Sequence, residues 1–345
     1  MREFTGFKKG INFGGWLSQC SGKDEHYREF ISENDVKAVS LWGIDHVRLP
    51  VDYCLVEDED GAENENGYKY IDSCIAWCEK YGLNMVLDLH KTAGFSFDDS
   101  STVSSFFNSE ELRSRFTRLW VKLARRYGKF SGFVAFELLN EVVLYDTADQ
   151  WNKLLYKTVS AIRAVAPDVK IIVGGVCFNS TFTVALLDAP YDGNIVYNFH
   201  CYEPLLFTHQ RAYWIENMPA DLRTQYPDIA DAYTGSTDCL TKELSLGVEK
   251  LGVQFYIENA GRKLFETLFA DAVRVAGERN VPLYCGEYGV IDRAPVEGTL
   301  NWYADINAVF EKYGIGRAAW TYKSMDFGLI GTHYEPIFKD LLKLL

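Results

Sequence analysis

An α/β fold, a (β/α)8 TIM barrel, is the class this sequence predicts, and three observations predict it. Short apolar runs of strand character alternate with amphipathic helical stretches along all 345 residues, the pattern of repeated βα units. Eight such strand-like runs occur. Polar side chains collect late in several of them, where a parallel barrel builds its working rim. Such a domain takes about 250 residues plus insertions, so residues 1–345 read as one domain.

The strands are predicted at Gly10–Phe13, His46–Leu49, Asn84–Leu89, Val134–Leu138, Lys170–Gly174, Ile195–Phe199, Leu283–Gly286 and Arg317–Trp320. Residues two apart in a strand share a face. By that rule His46 pairs with Arg48, Asn198 with His200 and Tyr202, and Cys285 with Glu287. Helices are predicted at Tyr68–Tyr81, Glu110–Tyr127, Gln150–Val165, Arg262–Arg279, Leu300–Tyr313 and Glu335–Leu345. In the second of these, Leu112, Phe116, Leu119 and Leu123 recur at helical spacing. Gly82, Gly128 and Gly314 stand where helices should stop. The connection after Tyr202 is far longer than the few residues usual between strand and helix. Residues 203–261 therefore read as an inserted subdomain between strand six and its following helix, over the catalytic face, with Leu240–Leu251 helical inside it.

The net charge of −13 argues against nucleic acid or an anionic membrane as a partner. No apolar run is long enough to span a bilayer. The N-terminal residues lack the apolar core of a secretion signal, so a cytoplasmic protein is expected. The eight cysteines are scattered without a C-x-x-C pair and read as free thiols in a reducing compartment. Cys74 and Cys78 share a helix face, but no second Cys or His pair follows to complete a zinc site. Aromatic residues make up 15% of the chain, enough to supply sugar-stacking faces as well as core.

Two glutamates, Glu141 and Glu287, each close a short apolar run, in Phe136-Glu-Leu-Leu-Asn-Glu141 and Cys285-Gly-Glu-Tyr-Gly289. They lie far apart in sequence, and a barrel gathers such distant strand ends. Two carboxylates facing each other across a cleft are the usual apparatus for cutting a glycosidic bond. Glu137 and Asp88, on the same strands, read as structural partners of Arg or His.

Seven motifs in order carry a resemblance: Gly10-Ile-Asn-Phe-Gly-Gly-Trp16, His46-Val-Arg-Leu-Pro50, Asp88-Leu-His90, Leu139-Asn-Glu141, Asn198-Phe-His-Cys-Tyr202, Gly286-Glu-Tyr-Gly289 and Trp320. Together they resemble the strand-end motifs of glycoside hydrolase family 5. The segment Phe207-Thr-His-Gln210, with Trp214, is most similar to that family's small clostridial endoglucanases. The resemblance implies a retaining mechanism with Glu141 as acid/base and Glu287 as nucleophile. It implies Arg48 and Tyr202 as donors to the nucleophile, Asn140 on the sugar 2-hydroxyl, His90 on substrate hydroxyls and His200 beside the acid/base. Trp320 would floor the sugar site next to the scissile bond, and Trp214 and Phe207 would line further subsites. Many members carry a second histidine where this chain has Lys91.

The implied substrate is a β-1,4-glucan, a mixed β-1,3/1,4-glucan or a cello-oligosaccharide, cut by a monomer that needs no metal or organic cofactor. Exo-β-1,3-glucanase, β-glucosidase and mannanase activities occur in the same family. A zinc-dependent barrel hydrolase would want a His-x-His pair on the first strand, which reads Gly-Ile-Asn-Phe here. A non-catalytic sugar-binding barrel would usually have lost one glutamate, and both are present.

Overall fold

A computed structural model describes residues 1–228 and 261–345. Eight parallel strands close into a barrel in sequence order. They are β1 (Lys9–Asn12), β2 (His46–Asp52), β3 (Asn84–Lys91), β4 (Val134–Glu137), β5 (Lys170–Gly174), β6 (Ile195–Cys201), β7 (Leu283–Tyr288) and β8 (Gly316–Ala319). Each predicted strand is present; Lys170–Gly174 matches at both ends, and no other end differs by more than three residues. The ring closes where β1 pairs with β8, Gly10 opposite Ala318.

The helices pack outside the ring. Glu110–Tyr127 forms as predicted, and Ser109 starts it by accepting from the Leu112 N–H at 3.2 Å. Its buried face is Phe116, Leu119, Trp120 and Leu123. Burying each such side chain stabilises the fold by about 1.5–3 kcal/mol. Glu65–Tyr81, Ala148–Arg163, Arg262–Glu278 and Val296–Tyr313 match four more predictions within a few residues. The C-terminal prediction splits into a 3-10 turn, Glu335–Ile337, and a helix, Phe338–Leu344. Between β5 and β6 there is only a 3-10 helix, Thr181–Leu186. Five short helices, Asp24–Glu29, Glu33–Ser40, Tyr53–Val56, Ser100–Asn108 and Leu205–Thr208, went unpredicted, although the second carries a capping box between Ser32 and Asp35.

Gly82 and Gly314 end their helices in the left-handed conformation, at φ +70° and +65°. Gly128 does not. Its φ is −60°, and the chain runs on into a 3-10 turn. A Cβ there would stand 2.5 Å from that of Ala166, so packing is what demands glycine at this position. The predicted helix Leu240–Leu251, Cys239 and residues 229–260 of the inserted subdomain lie outside the described residues. The seven described cysteines are all free thiols. No described helix is long and apolar enough to cross a membrane.

Inside the ring, strand alternation stacks side chains in layers. Val86, Ala135, Ile172, Val196, Tyr284 and Ala318 form an apolar layer with Phe4 and Phe7. Two residues further along, on the same faces, come Asp88, Glu137 and Asn198, joined by Asn12 and Arg48. This polar layer sits immediately under the C-terminal rim.

Candidate active site

The polar layer is organised around one buried cation. Arg48 is 0% exposed. Its Nε and Nη2 donate to the two oxygens of Glu137 at 2.7 and 2.9 Å. Nη1 donates to Asn12 Oδ1 at 2.9 Å and to Glu287 Oε1 at 2.8 Å. Nη2 also reaches Asn140 Oδ1 at 2.9 Å and Asp88 Oδ2 at 3.0 Å. A planar fork of donors can hold several acceptors in fixed directions, which a lysine could not do. Glu137 and Asp88 are thus partners of Arg48, and Asn198 Nδ2 supports Glu137 at 2.9 Å.

Glu287 reaches this network through an irregularity. Phe199 of β6 lies opposite Cys285, but the next residue, His200, lies opposite Glu287. Gly286 is therefore an extra residue in β7, a bulge that re-aims the next side chain. The expected shared face of Cys285 and Glu287 does not hold. Cys285 packs in the outer core, while Glu287 turns inward to Arg48. Gly286 approaches β6 closely, and a Cβ on it would lie 3.0 Å from both Asn198 Nδ2 and His200 Nε2. The second oxygen of Glu287 accepts from the Tyr202 hydroxyl at 2.9 Å.

Glu141 follows β4 with φ +41°, a conformation that non-glycine residues rarely keep except where the surroundings enforce it. Its Oε1 lies 2.8 Å from His200 Nδ1. The Asn179 side-chain amide stands 3.5 Å from the other ring nitrogen, so both nitrogens of the ring have a polar neighbour. Burial, then Arg48, holds His200 well below its ordinary pKa, so the ring is neutral.

One oxygen of Glu141, one of Glu287 and a ring nitrogen of His200 all lie within 4.8 Å of one another. Burial, reinforced by the like charge of Glu287, raises the Glu141 carboxyl well above the usual range. Burial also raises Glu287, but Arg48 and the Tyr202 hydroxyl pull it back. The pair is thereby split into a more readily protonated and a more readily ionised member. The same three groups have the spacing to hold a cation. Each nevertheless has a hydrogen-bond partner within the site, and Arg48 stands as the counter-charge to Glu287.

His90 Nδ1 bonds Asp88 Oδ2 at 2.6 Å, and its ring stacks on Trp320 at 5.8 Å with 3° between planes. Burial lowers His90 to a pKa of about 4 and raises Asp88 to about 7. Phe97, which drew no attention in the sequence, meets the His90 ring edge-on at 4.9 Å. Lys91 forms an ion pair with Asp98. Trp214 stands on the rim, 45% exposed. Phe207 does not: it is fully buried against Tyr226 and belongs to the core, so it offers no face to a sugar. Nearly every other candidate residue converges here: Arg48, Asn140, Glu141, His200, Tyr202 and Glu287 in one network, His90 and Trp320 beside it. Asn12 and Asn179 were missed, and Asn198, which alternation placed on one face with His200 and Tyr202, was given no role.

The family model for "Cellulase (glycosyl hydrolase family 5)" matches residues 8–326. Cellodextrinase A of Ruminococcus flavefaciens is 43% identical over 319 residues, 92% of this chain and 86% of that protein. Endoglucanase C of Acetivibrio thermocellus is 38% identical over 345 residues, 98% of each chain. Among solved structures, the endoglucanase Cel5A of Thermotoga maritima superposes with a TM-score of 0.77 at 24% identity, covering 99% of this chain and 97% of that one. That last likeness bears on the fold alone.

Proposed function

The chain belongs to glycosyl hydrolase family 5 and is a glycoside hydrolase of the cellulase type, and on that premise we propose that it is a retaining endo-β-glucanase with Glu287 as nucleophile and Glu141 as acid/base. One observation carries the retaining assignment. The two carboxylates approach within 4.8 Å, near the ~5–5.5 Å of retaining enzymes and short of the ~6.5–9.5 Å that an inverting enzyme leaves for a water.

In this reading Glu287, ionised and held by Arg48 and Tyr202, attacks the anomeric carbon. Glu141 gives its proton to the leaving oxygen. The new ester removes the Glu287 charge, the Glu141 carboxyl becomes more acidic, and it then takes a proton from the water that cleaves the ester. Asn140 Nδ2 is buried and has no partner, and a sugar 2-hydroxyl would satisfy it. Trp320, fixed by His90, supplies a flat apolar face for the same sugar. The relatives named for endoglucanase and cellodextrinase activity support soluble β-1,4-glucan and short cello-oligosaccharides as substrates, with mixed β-1,3/1,4-glucan beside them.

Product analysis tests this. Barley mixed-linkage glucan, carboxymethylcellulose, laminarin, mannan and cellopentaose should be digested side by side. A spread of oligosaccharides from the first two is expected. Glucose alone from laminarin or cellopentaose would instead mark an exo-acting enzyme. Glu141→Ala separates the two steps. It should lose about 10²–10⁴-fold on glucans, the worth of one general acid. An aryl glycoside with an activated leaving group should lose much less in the first step, and equal losses on both would remove Glu141 from the acid's role.

A further inference from the structure

A second group of charges lies on the same rim. Arg211 and Arg223 belong to the segment after β6, and Arg293 follows β7. Gln210, fully buried, clasps Thr224: its Nε2 donates to the Thr224 carbonyl at 3.2 Å, and its Oε1 accepts from the Thr224 N–H at 3.4 Å. The clasp sets the neighbouring residues Arg211 and Arg223 side by side. Arg211 Nη2 donates to the backbone carbonyl of Arg293, with the Arg211 backbone at φ +60°. A non-glycine residue is kept in that region only where its surroundings require it.

Guanidinium groups gathered in this way oppose one another. Burial, then Arg223 and Arg293, depresses the pKa of Arg211 below the ordinary arginine value. Nearby carboxylates answer the three cations unevenly, and Asp292 lies close enough to Arg211 to oppose that shift. Arg293 pairs with Asp326 and stands 3.7 Å from Asp292, whereas Arg211 and Arg223 have no ion pair among the described residues. Arg211 Nε is buried without an acceptor. Two arginines without an ion pair among the described residues can take an anion from outside.

A line of rings connects this group to the reacting carboxylates. Tyr202, bonded to Glu287, meets His209 edge-on at 4.9 Å. His209 meets Trp214 at 6.2 Å, Trp214 meets Tyr213 at 4.9 Å, and the Arg293 guanidinium lies over Tyr213 at 5.7 Å. Trp214 and Tyr213 are 45% and 80% exposed. A sugar stacked on Trp214 would carry its substituents toward the arginines.

We propose that Arg211 and Arg223, with Arg293 behind them, form a subsite for an acidic substituent on the glycan, a uronate carboxylate or a phosphate ester. Guanidinium matches both through paired N–H donors. The enzyme would then favour glucan oligosaccharides bearing one such group near the cleaved bond. This rests on the glucanase reading, and the test keeps the two apart.

Binding is measured by calorimetry on Glu287→Gln, which leaves the ligands intact, with cellotetraose, its analogue carrying one glucuronosyl unit, and its 6-phosphate. One acidic chain should bind roughly tenfold tighter than the neutral one, the scale of a hydrogen bond to a charged group. Added salt should erode that preference. Which acidic chain gains identifies the substituent. Adding Arg223→Gln, whose side chain is exposed and among the described residues bonds only the adjacent Leu222 carbonyl, should abolish the preference, as should Arg211→Gln. Equal binding of neutral and acidic chains, or a preference that survives both substitutions, overturns the subsite. Failure of the unmutated enzyme to hydrolyse cellotetraose would count against the glucanase reading instead, and the binding ratio would still decide the subsite.

Discussion

Glu287→Gln is expected to fold as the unmutated chain does and to lose at least about 10⁴-fold in kcat/KM on every glucan, since in the proposed mechanism Glu287 alone forms the ester. Glutamine keeps the shape: its one oxygen can accept from Arg48 while its NH2 donates to the Tyr202 hydroxyl, so the loss would report chemistry and not collapse. The substitution should also move Glu141. The like charge that helps raise its pKa is gone, so its titration, followed by carbon-13 NMR of labelled glutamate, should shift to lower pH. In the unmutated enzyme the same pair is expected to set the pH profile. Activity should fall on the alkaline side as Glu141 loses its proton, and on the acid side as Glu287 gains one. Substantial turnover by the variant, or a Glu141 titration that stays in place, would remove Glu287 from the mechanism.

Arg48→Met should cost about 3–5 kcal/mol of stability near neutral pH as well as most of the activity. A buried cation is taken away while its carboxylates remain. Burial already raises Asp88 to about 7 and Glu137 above the usual range, with Arg48 opposing both shifts. Without Arg48 these groups should rise further. A carboxyl whose pKa is higher in the folded state than in the unfolded chain takes up a proton on folding, so stability falls as pH rises through that window. Urea denaturation should therefore find the variant closer to the unmutated protein at pH 5 than at pH 8. A deficit that is the same at both pH values would mean that lost packing, and not stranded charge, is the cause.

The barrel was legible because β-strands buried on both faces are written as continuous apolar runs, and helices as runs at 3.6-residue spacing. Lys170–Gly174 and Glu110–Tyr127 were located to the residue. The two glutamates were legible because each closes such a run. What escaped notice depends on neighbours distant in sequence. Two-residue alternation gave the wrong partner for Glu287, since the extra residue at Gly286 exists only in relation to β6. Phe207 has the composition of a sugar platform, and only its contact with Tyr226 shows it to be core. Gly128 looks like any helix-ending glycine until Ala166 is placed against it. The short helices Asp24–Glu29 and Glu33–Ser40 bury few residues, so their apolar pattern is faint.

Asn12 ties the first strand to the last two. Its Nδ2 lies 3.0 Å from the Gly286 carbonyl, 3.1 Å from that of Ala318 and 3.2 Å from that of Ala319, while its Oδ1 accepts from Arg48. The clasp that joins the two ends of the barrel is thus the same knot that aims the inward-facing carboxylate of β7. It draws on both ends of the chain: β1, β2, β3, β4 and β7 must all have arrived before Arg48 has its partners. In the proposed mechanism turnover therefore waits on strands from both ends of the chain, and a barrel lacking any one of these five would leave Arg48 or one of its partners unpaired.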